Sequence, residues 1–153
     1  MRDNFKIRKA RFNDVSHIVK LLASDLLGAY RENYQNPLPQ EYYDAFAEID
    51  ADKNNYLIVV EDHGKIIGTS QLTIITYLTY RGGKRGQIEG VRIDEAYRGQ
   101  GIGKLMIEWS ISKSRELGCH VVQLTMDKQR DETIQFYKKL GFVASHEGLK
   151  LHL

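Results

Sequence analysis

The chain of 153 residues has the length of one domain, and we expect a single domain over residues 1–153. Its apolar content of 42%, charged content of 27% and aromatic content of 10% are ordinary for a soluble globular protein and exclude disordered, collagen-like and coiled-coil classes. A net charge of +2 is too balanced to indicate a nucleic-acid or membrane partner.

Several features that the sequence lacks limit where the protein is expected to reside and whether it is expected to bind a metal. No apolar run approaches a membrane span, and the N-terminal residues lack the apolar stretch of a secretory signal. The single cysteine, Cys119, cannot form a disulfide framework or a zinc site, and the five histidines show no metal-binding spacing. We therefore expect a cytoplasmic protein without a metal.

The first half of the chain predicts two helices and a hairpin. Asn13 or Asp14 can cap a helix with the apolar face Val15, Ile18, Val19, Leu22 and Leu26. After a break at 37–39, Tyr42, Phe46 and Ile49 recur at helical spacing and indicate a second helix. The β-rich runs 56–61 and 66–76 flank a turn, which predicts a hairpin, and residues 77–86 predict a loop.

The second half alternates between strands and helices. A strand at 87–93 precedes a glycine-rich turn and a helix that ends at Gly118, with the apolar face Ile102, Leu105, Met106 and Trp109. A strand at 121–126, a helix at 131–140 and final strands near 142–144 and 149–153 follow. This order after a meander predicts a mixed α/β sheet.

The turn Arg-Gly-Gln-Gly-Ile-Gly-Lys at 98–104 is suited to phosphate. Its glycines let backbone N–H groups approach a ligand, and the following helix N-terminus favours negative charge. A Walker A loop would need glycine at Arg98, and a Rossmann motif would need glycine at Lys104. A turn without a ligand is the alternative, but three glycines between two basic residues favour a pyrophosphate site.

Two motifs resemble those of the GNAT superfamily of N-acetyltransferases. Residues 91–103, Val-Arg-Ile-Asp-Glu-Ala-Tyr-Arg-Gly-Gln-Gly-Ile-Gly, resemble its acetyl-CoA motif, and 136–142, Phe-Tyr-Lys-Lys-Leu-Gly-Phe, resemble its downstream signature. Residues 7–10 followed by Asp14 also resemble its first strand and helix. The resemblance implies a GNAT fold, with a mixed, mostly antiparallel sheet, a splayed strand pair and helices on both faces.

The resemblance also implies acetyl-CoA as cosubstrate. The backbone of Val91 and Ile93 would bind its pantetheine arm, and the amides of the turn would hold its pyrophosphate: Arg98, Gly99, Gln100, Gly101, Ile102, Gly103 and Lys104. Many members have asparagine where this chain has Arg130, so that contact is left unassigned, with the cofactor phosphates as an alternative partner of Arg130. Arg92 is expected to be a solvated strand residue.

Acetyl transfer to an amine requires removal of a proton from the amine, donors for the developing oxyanion and a proton for the leaving thiolate. The resemblance implies that Tyr137 protonates the thiolate, with a packed core tyrosine as the alternative. Glu89 is expected on the strand face of Val91, half-buried, and is implied as the base, directly or through water. A salt bridge or an acceptor-binding carboxylate is its alternative role.

The resemblance implies that residues 23–52 contribute the acceptor pocket. The six acids and no base at 32–52 could attract a cationic amine, but the solvated face of an amphipathic helix is the favoured interpretation. The predicted function is acetyl transfer from acetyl-CoA to a primary amine of a small molecule by direct attack. The alternatives are a protein or peptide acceptor and a non-catalytic acyl-CoA sensor. A homodimer is a further expectation.

Overall fold

The computed structural model describes residues 4–153 and contains one five-stranded sheet. Its strands follow chain order: β1 (Phe5–Lys9), β2 (Asn55–Asp62), β3 (Lys65–Thr76), β4 (Lys84–Ile93) and β5 (Val121–Leu124). The first four strands pair antiparallel, and β4 pairs parallel with β5. The predicted mixed, mostly antiparallel sheet is confirmed.

Helices cover both faces of the sheet, as predicted. They are α1 (Val15–Leu22), α2 (Leu26–Arg31), α3 (Gln40–Ala51), the single turn α4 (Thr79–Gly82), α5 (Ile102–Glu116) and α6 (Asp131–Lys139). Side chains of α1 and α3 pack with Val59 on one face, whereas α5 and α6 pack with Ile88 on the other. Among residues 4–153, no helix combines the length and apolarity that crossing a membrane requires.

Strand β4 contains a bulge at Gly90. Thr69 pairs with Arg92 and Gln71 pairs with Glu89, so two residues of β4 lie where β3 has only one. Gly90 has φ of +62°, a conformation that favours glycine. The extra residue interrupts the alternation of side chains along β4.

The bulge decides which side chains of β4 share a face. Ile88, Val91 and Ile93 pack in the clusters beneath α5 and α6. Glu89 and Arg92 pair with Gln71 and Thr69, two residues apart on β3, and therefore face the opposite side with α1. The prediction that Glu89 shares the strand face of Val91 is thus wrong.

The two parallel strands separate halfway along β4. Pairing with β5 begins at Arg85 and ends where Ile88 meets Leu124, although β4 continues to Ile93. Beyond Ile88 the β4 edge has no strand partner on this side within the described part of the chain. We call this gap the wedge, and it matches the predicted splayed strand pair.

An ion cluster ties the first strand to the first helix. Both terminal nitrogens of Arg8 donate to Asp14, at 2.7 and 3.0 Å, and its Nε donates to Glu61 at 2.7 Å. Burial raises the pKa of Asp14, but the hydrogen bonds from Arg8 and from the Arg11 amide outweigh it and lower the pKa overall.

Two sequence predictions about elements are wrong. The first helix ends at Leu22, and Leu26 instead begins α2 and is 73% exposed, because Asp25 caps that helix through the amide of Gly28 at 2.6 Å. Residues 142–144 and 149–153 form no strand. Their alternating pattern is typical of a strand, but a strand needs a paired edge, and Leu149 and Leu151 lie fully exposed.

Candidate active site

The glycine turn leads from the end of β4 into the first turn of α5. Gly99 and Gly101 have φ of +75° and +85°, and a Cβ at either position would meet no atom within 4 Å. The first α5 hydrogen bond runs from the Leu105 amide to the Gly101 carbonyl, so the amides of residues 102–104 precede the helical ladder. These open amides at a helix N-terminus fit a pyrophosphate group.

Gly103 serves a different purpose within the same turn. A Cβ there would lie 3.2 Å from Ile93 and 3.3 Å from Phe136, so glycine lets α5 approach both β4 and α6. The neighbouring Ile102 is buried and packs with Met106, which fixes the start of the helix. Gly103 therefore stabilises the packing around the site.

The wedge lies next to this turn because Ile93, the last residue of β4, is also a neighbour of Gly103. Val91 and Ile93 are half-buried, and their backbone lies beyond the last β4–β5 pair at Ile88. The structure thus brings the predicted cofactor-binding residues together as one strand, turn and helix end. Of the two basic residues, Arg98 is exposed, and Lys104 lies 3.6 Å from Glu108.

Tyr137 lies on the α6 surface that packs against the sheet and is 8% exposed. Its ring makes edge-to-face contacts with Phe136 and Phe142, at centroid distances of 5.0 and 5.7 Å. Burial raises the pKa of Tyr137, and the positive charges of Arg92 and Arg130 act against this rise. The phenol is therefore protonated at neutral pH and able to donate a proton.

Glu89 is exposed, not half-buried as predicted. Its place opposite Gln71 puts it on the face of the sheet where α1 packs, with Arg92. A carboxylate on this face is accessible from solvent and lies two residues before the unpaired backbone of Val91.

Three charged residues from separate segments meet on that face, and we call them the cleft arginine cluster: Asp25, Arg92 and Arg130. The Arg92 Nε lies 3.6 Å and the Arg130 Nη2 2.5 Å from the same oxygen of Asp25. Arg92 also donates to the Val91 carbonyl at 2.8 Å. With its side chain only 15% exposed, Arg92 contradicts the prediction of a solvated strand residue.

Electrostatics shape this cluster. Burial lowers the pKa of Arg92, and the charge of Asp25 opposes the change. Burial raises the pKa of Asp25, but the Gly28 amide and the two arginines lower it overall, so the carboxylate stays ionised. Arg130, whose contact the sequence left unassigned, uses its guanidinium to bind Asp25.

Comparison with known proteins identifies the family. The model of the "Acetyltransferase (GNAT) family" matches residues 23–142. The chain belongs to this family. The predictions of family and fold are confirmed.

Individual similar proteins agree with the family. A solved structure from Bacillus halodurans, described as a transcriptional regulator, is 51% identical, with a TM-score of 0.95 and coverage of 97% of this chain and 99% of that one. The Arabidopsis thaliana glucosamine-6-phosphate N-acetyltransferase structure is 26% identical, with a TM-score of 0.81 and coverage of 98% and 99%. A Drosophila melanogaster protein described as a probable glucosamine 6-phosphate N-acetyltransferase is 32% identical over 68% of this chain. This chain spans 47% of its length.

The acidic segment at 32–52 agrees with the favoured interpretation of the sequence. Glu41, Asp44 and Glu48 lie exposed on α3, while Phe46 is buried beneath it, so the solvated amphipathic face is confirmed. The residues that sequence reasoning missed are Asp25 and the two arginines. The sequence signal for these residues was Arg92 itself, a charged residue between two apolar residues near the end of a strand.

Proposed function

We propose that this protein transfers the acetyl group of acetyl-CoA to a primary amine of a small molecule, by direct attack of the amine on the thioester. The observation that carries the proposal is the convergence of the open turn amides, the unpaired edge of β4 and the buried phenol of Tyr137 at one wedge. The names of the Arabidopsis and Drosophila relatives, which specify glucosamine 6-phosphate as the amine, support a small-molecule acceptor.

The residues around the wedge fit acetyl-CoA, which supplies an activated acyl thioester when bound. The amides of Ile102, Gly103 and Lys104 hold the pyrophosphate, with Gly99 and Gly101 allowing close approach. The unpaired backbone from Glu89 to Ile93 offers hydrogen bonds to the pantetheine amides, as a neighbouring strand would.

Three groups of this chain act on protons and charge. Glu89 accepts the proton that the amine must lose, directly or through water, because it lies accessible on the face of the sheet where α1 packs. The amide of Val91 donates to the acyl oxygen as negative charge develops there. Tyr137 donates its phenolic proton to the departing sulfur, and burial, which raises the pKa of the phenol, keeps that proton in place at neutral pH.

A non-catalytic acyl-CoA sensor is the second candidate, since the Bacillus structure is described as a transcriptional regulator. A sensor would use the turn and the wedge, but it would need no proton donor. We expect release of CoA when the protein and acetyl-CoA are screened with amino sugars and their phosphates, aminoglycosides, polyamines, amino acids and peptides. Acetyl-CoA binding without release by any amine would favour the sensor, and release by peptides alone would favour a protein acceptor.

We also propose that the protein resides in the cytoplasm, because a single cysteine fits a reducing compartment.

We propose further that two copies of the chain associate. Leu149, Leu151 and Leu153 are exposed and alternate with polar residues, and β5 is an edge strand of the sheet. An unpaired edge and an unpaired alternating segment are complementary between copies. Sedimentation should show a dimer that changing the three leucines to serine dissociates, and a monomeric parent protein would contradict this.

A further inference from the structure

The cleft arginine cluster carries more positive charge than its own carboxylate neutralises. Arg92 and Arg130 share one acidic partner, Asp25, which leaves a net charge of +1 among three largely buried groups. The adjacent Arg31 and Glu32 pair with each other at 2.6 Å and so add no net charge. Buried charge without a counter-charge is costly, and an anionic ligand would remove that cost.

The cluster also has unused hydrogen-bond donors. The Nε of Arg92 is buried and has no hydrogen-bond partner, since its distance of 3.6 Å to Asp25 is too long for a hydrogen bond. A guanidinium presents five donors in a planar fork that matches a carboxylate or phosphate, yet Arg92 uses one nitrogen, for the Val91 carbonyl. Buried donors usually have a hydrogen-bond partner, so the unsatisfied Nε shows that Asp25 alone does not use the full donor capacity of Arg92.

The position of the cluster links it to the reacting groups. Arg92 lies on the same face of β4 as Glu89 and directly follows Val91 in the chain. The charges of Arg92 and Arg130 also reach the phenol of Tyr137 strongly enough to act on its pKa. An anion held by the two arginines would therefore lie close to the amine that reacts in the wedge.

We propose that the cleft arginine cluster binds an anionic group, a phosphate or a carboxylate, of the amine acceptor. The acceptor is then an amino compound that carries a negative charge, and a polyamine is excluded as the preferred substrate. In this arrangement Asp25 positions both guanidinium groups, and Arg130 extends to it from the segment before α6. The inference rests on the proposed acetyl transfer and specifies its substrate class.

The test compares matched acceptors that differ only in the anion. Comparing glucosamine 6-phosphate with glucosamine tests for a preference for phosphate. Comparing β-alanine with propylamine tests for a preference for carboxylate. Charge-assisted bidentate hydrogen bonds predict a kcat/KM about 10- to 100-fold higher for the anionic member of at least one pair. In Arg130→Gln and Arg92→Gln this preference should fall to within about threefold of unity, through a higher KM for the anionic amine.

Arg115→Gln is the matched control, because it removes one exposed positive charge from α5 far along the helix from the turn. Arg130→Gln keeps the test valid if Arg92→Gln fails to fold. Wild-type protein that acetylates neutral and anionic amines equally would overturn the inference while the proposed function stands. So would a preference that survives in the Arg130 and Arg92 variants.

If no amine is acetylated, the proposed function fails and binding decides the inference alone. Glucosamine 6-phosphate should then raise the melting temperature of the wild type and of Arg115→Gln, but not that of Arg130→Gln, and glucosamine should raise none of them. Equal shifts with the phosphorylated and the neutral sugar would overturn the inference.

Discussion

Replacing Tyr137 with phenylalanine separates the proton-donor role from a packing role. Within residues 4–153 the hydroxyl makes no hydrogen bond, whereas the ring packs with Leu72, Ile88 and Ile107. Removing the hydroxyl therefore leaves the core contacts in place and should change the free energy of unfolding by no more than about 0.5 kcal/mol. For a chain of this size, that corresponds to a shift in melting temperature of about 1–2 °C.

The effect on turnover should be much larger than the effect on folding. Loss of a general acid lowers kcat about 10²-fold, which corresponds to about 2.7 kcal/mol of transition-state stabilisation. Because burial raises the pKa of Tyr137, the phenol stays protonated below its ordinary value near 10 and loses its proton only above it. The defect of Tyr137→Phe should therefore be constant from pH 7 to 9.

The assay is steady-state CoA release with saturating acetyl-CoA, run beside a thermal-shift titration of acetyl-CoA. Tyr56→Phe is a matched control, because Tyr56 also packs against an aromatic ring, that of Trp109, and plays no part in the proposed chemistry. The control should keep full activity. Wild-type kcat in Tyr137→Phe would refute the assignment, as would a loss of activity explained by a lower melting temperature.

Three further predictions test the base, the turn and the fold. Glu89→Gln should lower kcat/KM most at neutral pH and recover partly as pH rises and free amine becomes abundant, whereas a profile parallel to the wild type would remove Glu89 as the base. Gly101→Leu should abolish the thermal stabilisation by acetyl-CoA, while Gly118→Leu, with a similar φ of +78° and open space at the far end of α5, should retain it; equal loss would point to strain alone. Asp14→Asn should cost about 3 kcal/mol and lower the melting temperature by about 6–12 °C at pH 7. Because the pKa of Asp14 is lowered in the folded state, this difference should persist above pH ~4 and vanish as pH falls through the folded value, and a pH-independent difference would refute the ion-cluster explanation.

The sequence predicted those features that depend on local patterns. The strand, turn and helix from Val91 to Lys104 and the helix bearing Tyr137 followed from motif and periodicity, and the structure has both. Alternation along the strand could not predict which face of the sheet Glu89 lies on, because a single bulged residue reverses the order of the faces. The sequence signal for the bulge was Gly90, since an interior glycine in a strand often marks a bulge.

Local sequence patterns could not predict the features that depend on contacts between distant segments. Alternation placed Arg92 opposite Val91, which is correct, but it could not show that Asp25 and Arg130 close over that side. The alternating leucines near the C-terminus satisfied the local condition for a strand, yet pairing depends on an available edge elsewhere.

The bulge at Gly90 has a consequence for how this protein can change over evolutionary time. By turning successive stretches of β4 toward opposite sides, it separates Val91 and Ile93, the proposed donor-binding residues, from Glu89 and Arg92, the proposed acceptor-side residues. Under the proposed function, a substitution of the Arg92 side chain alters the acceptor side while the side chains of Val91 and Ile93 keep their packing on the donor side. One irregular residue thus keeps the donor side and the acceptor side of the strand distinct, so that the side chains of each can change on their own.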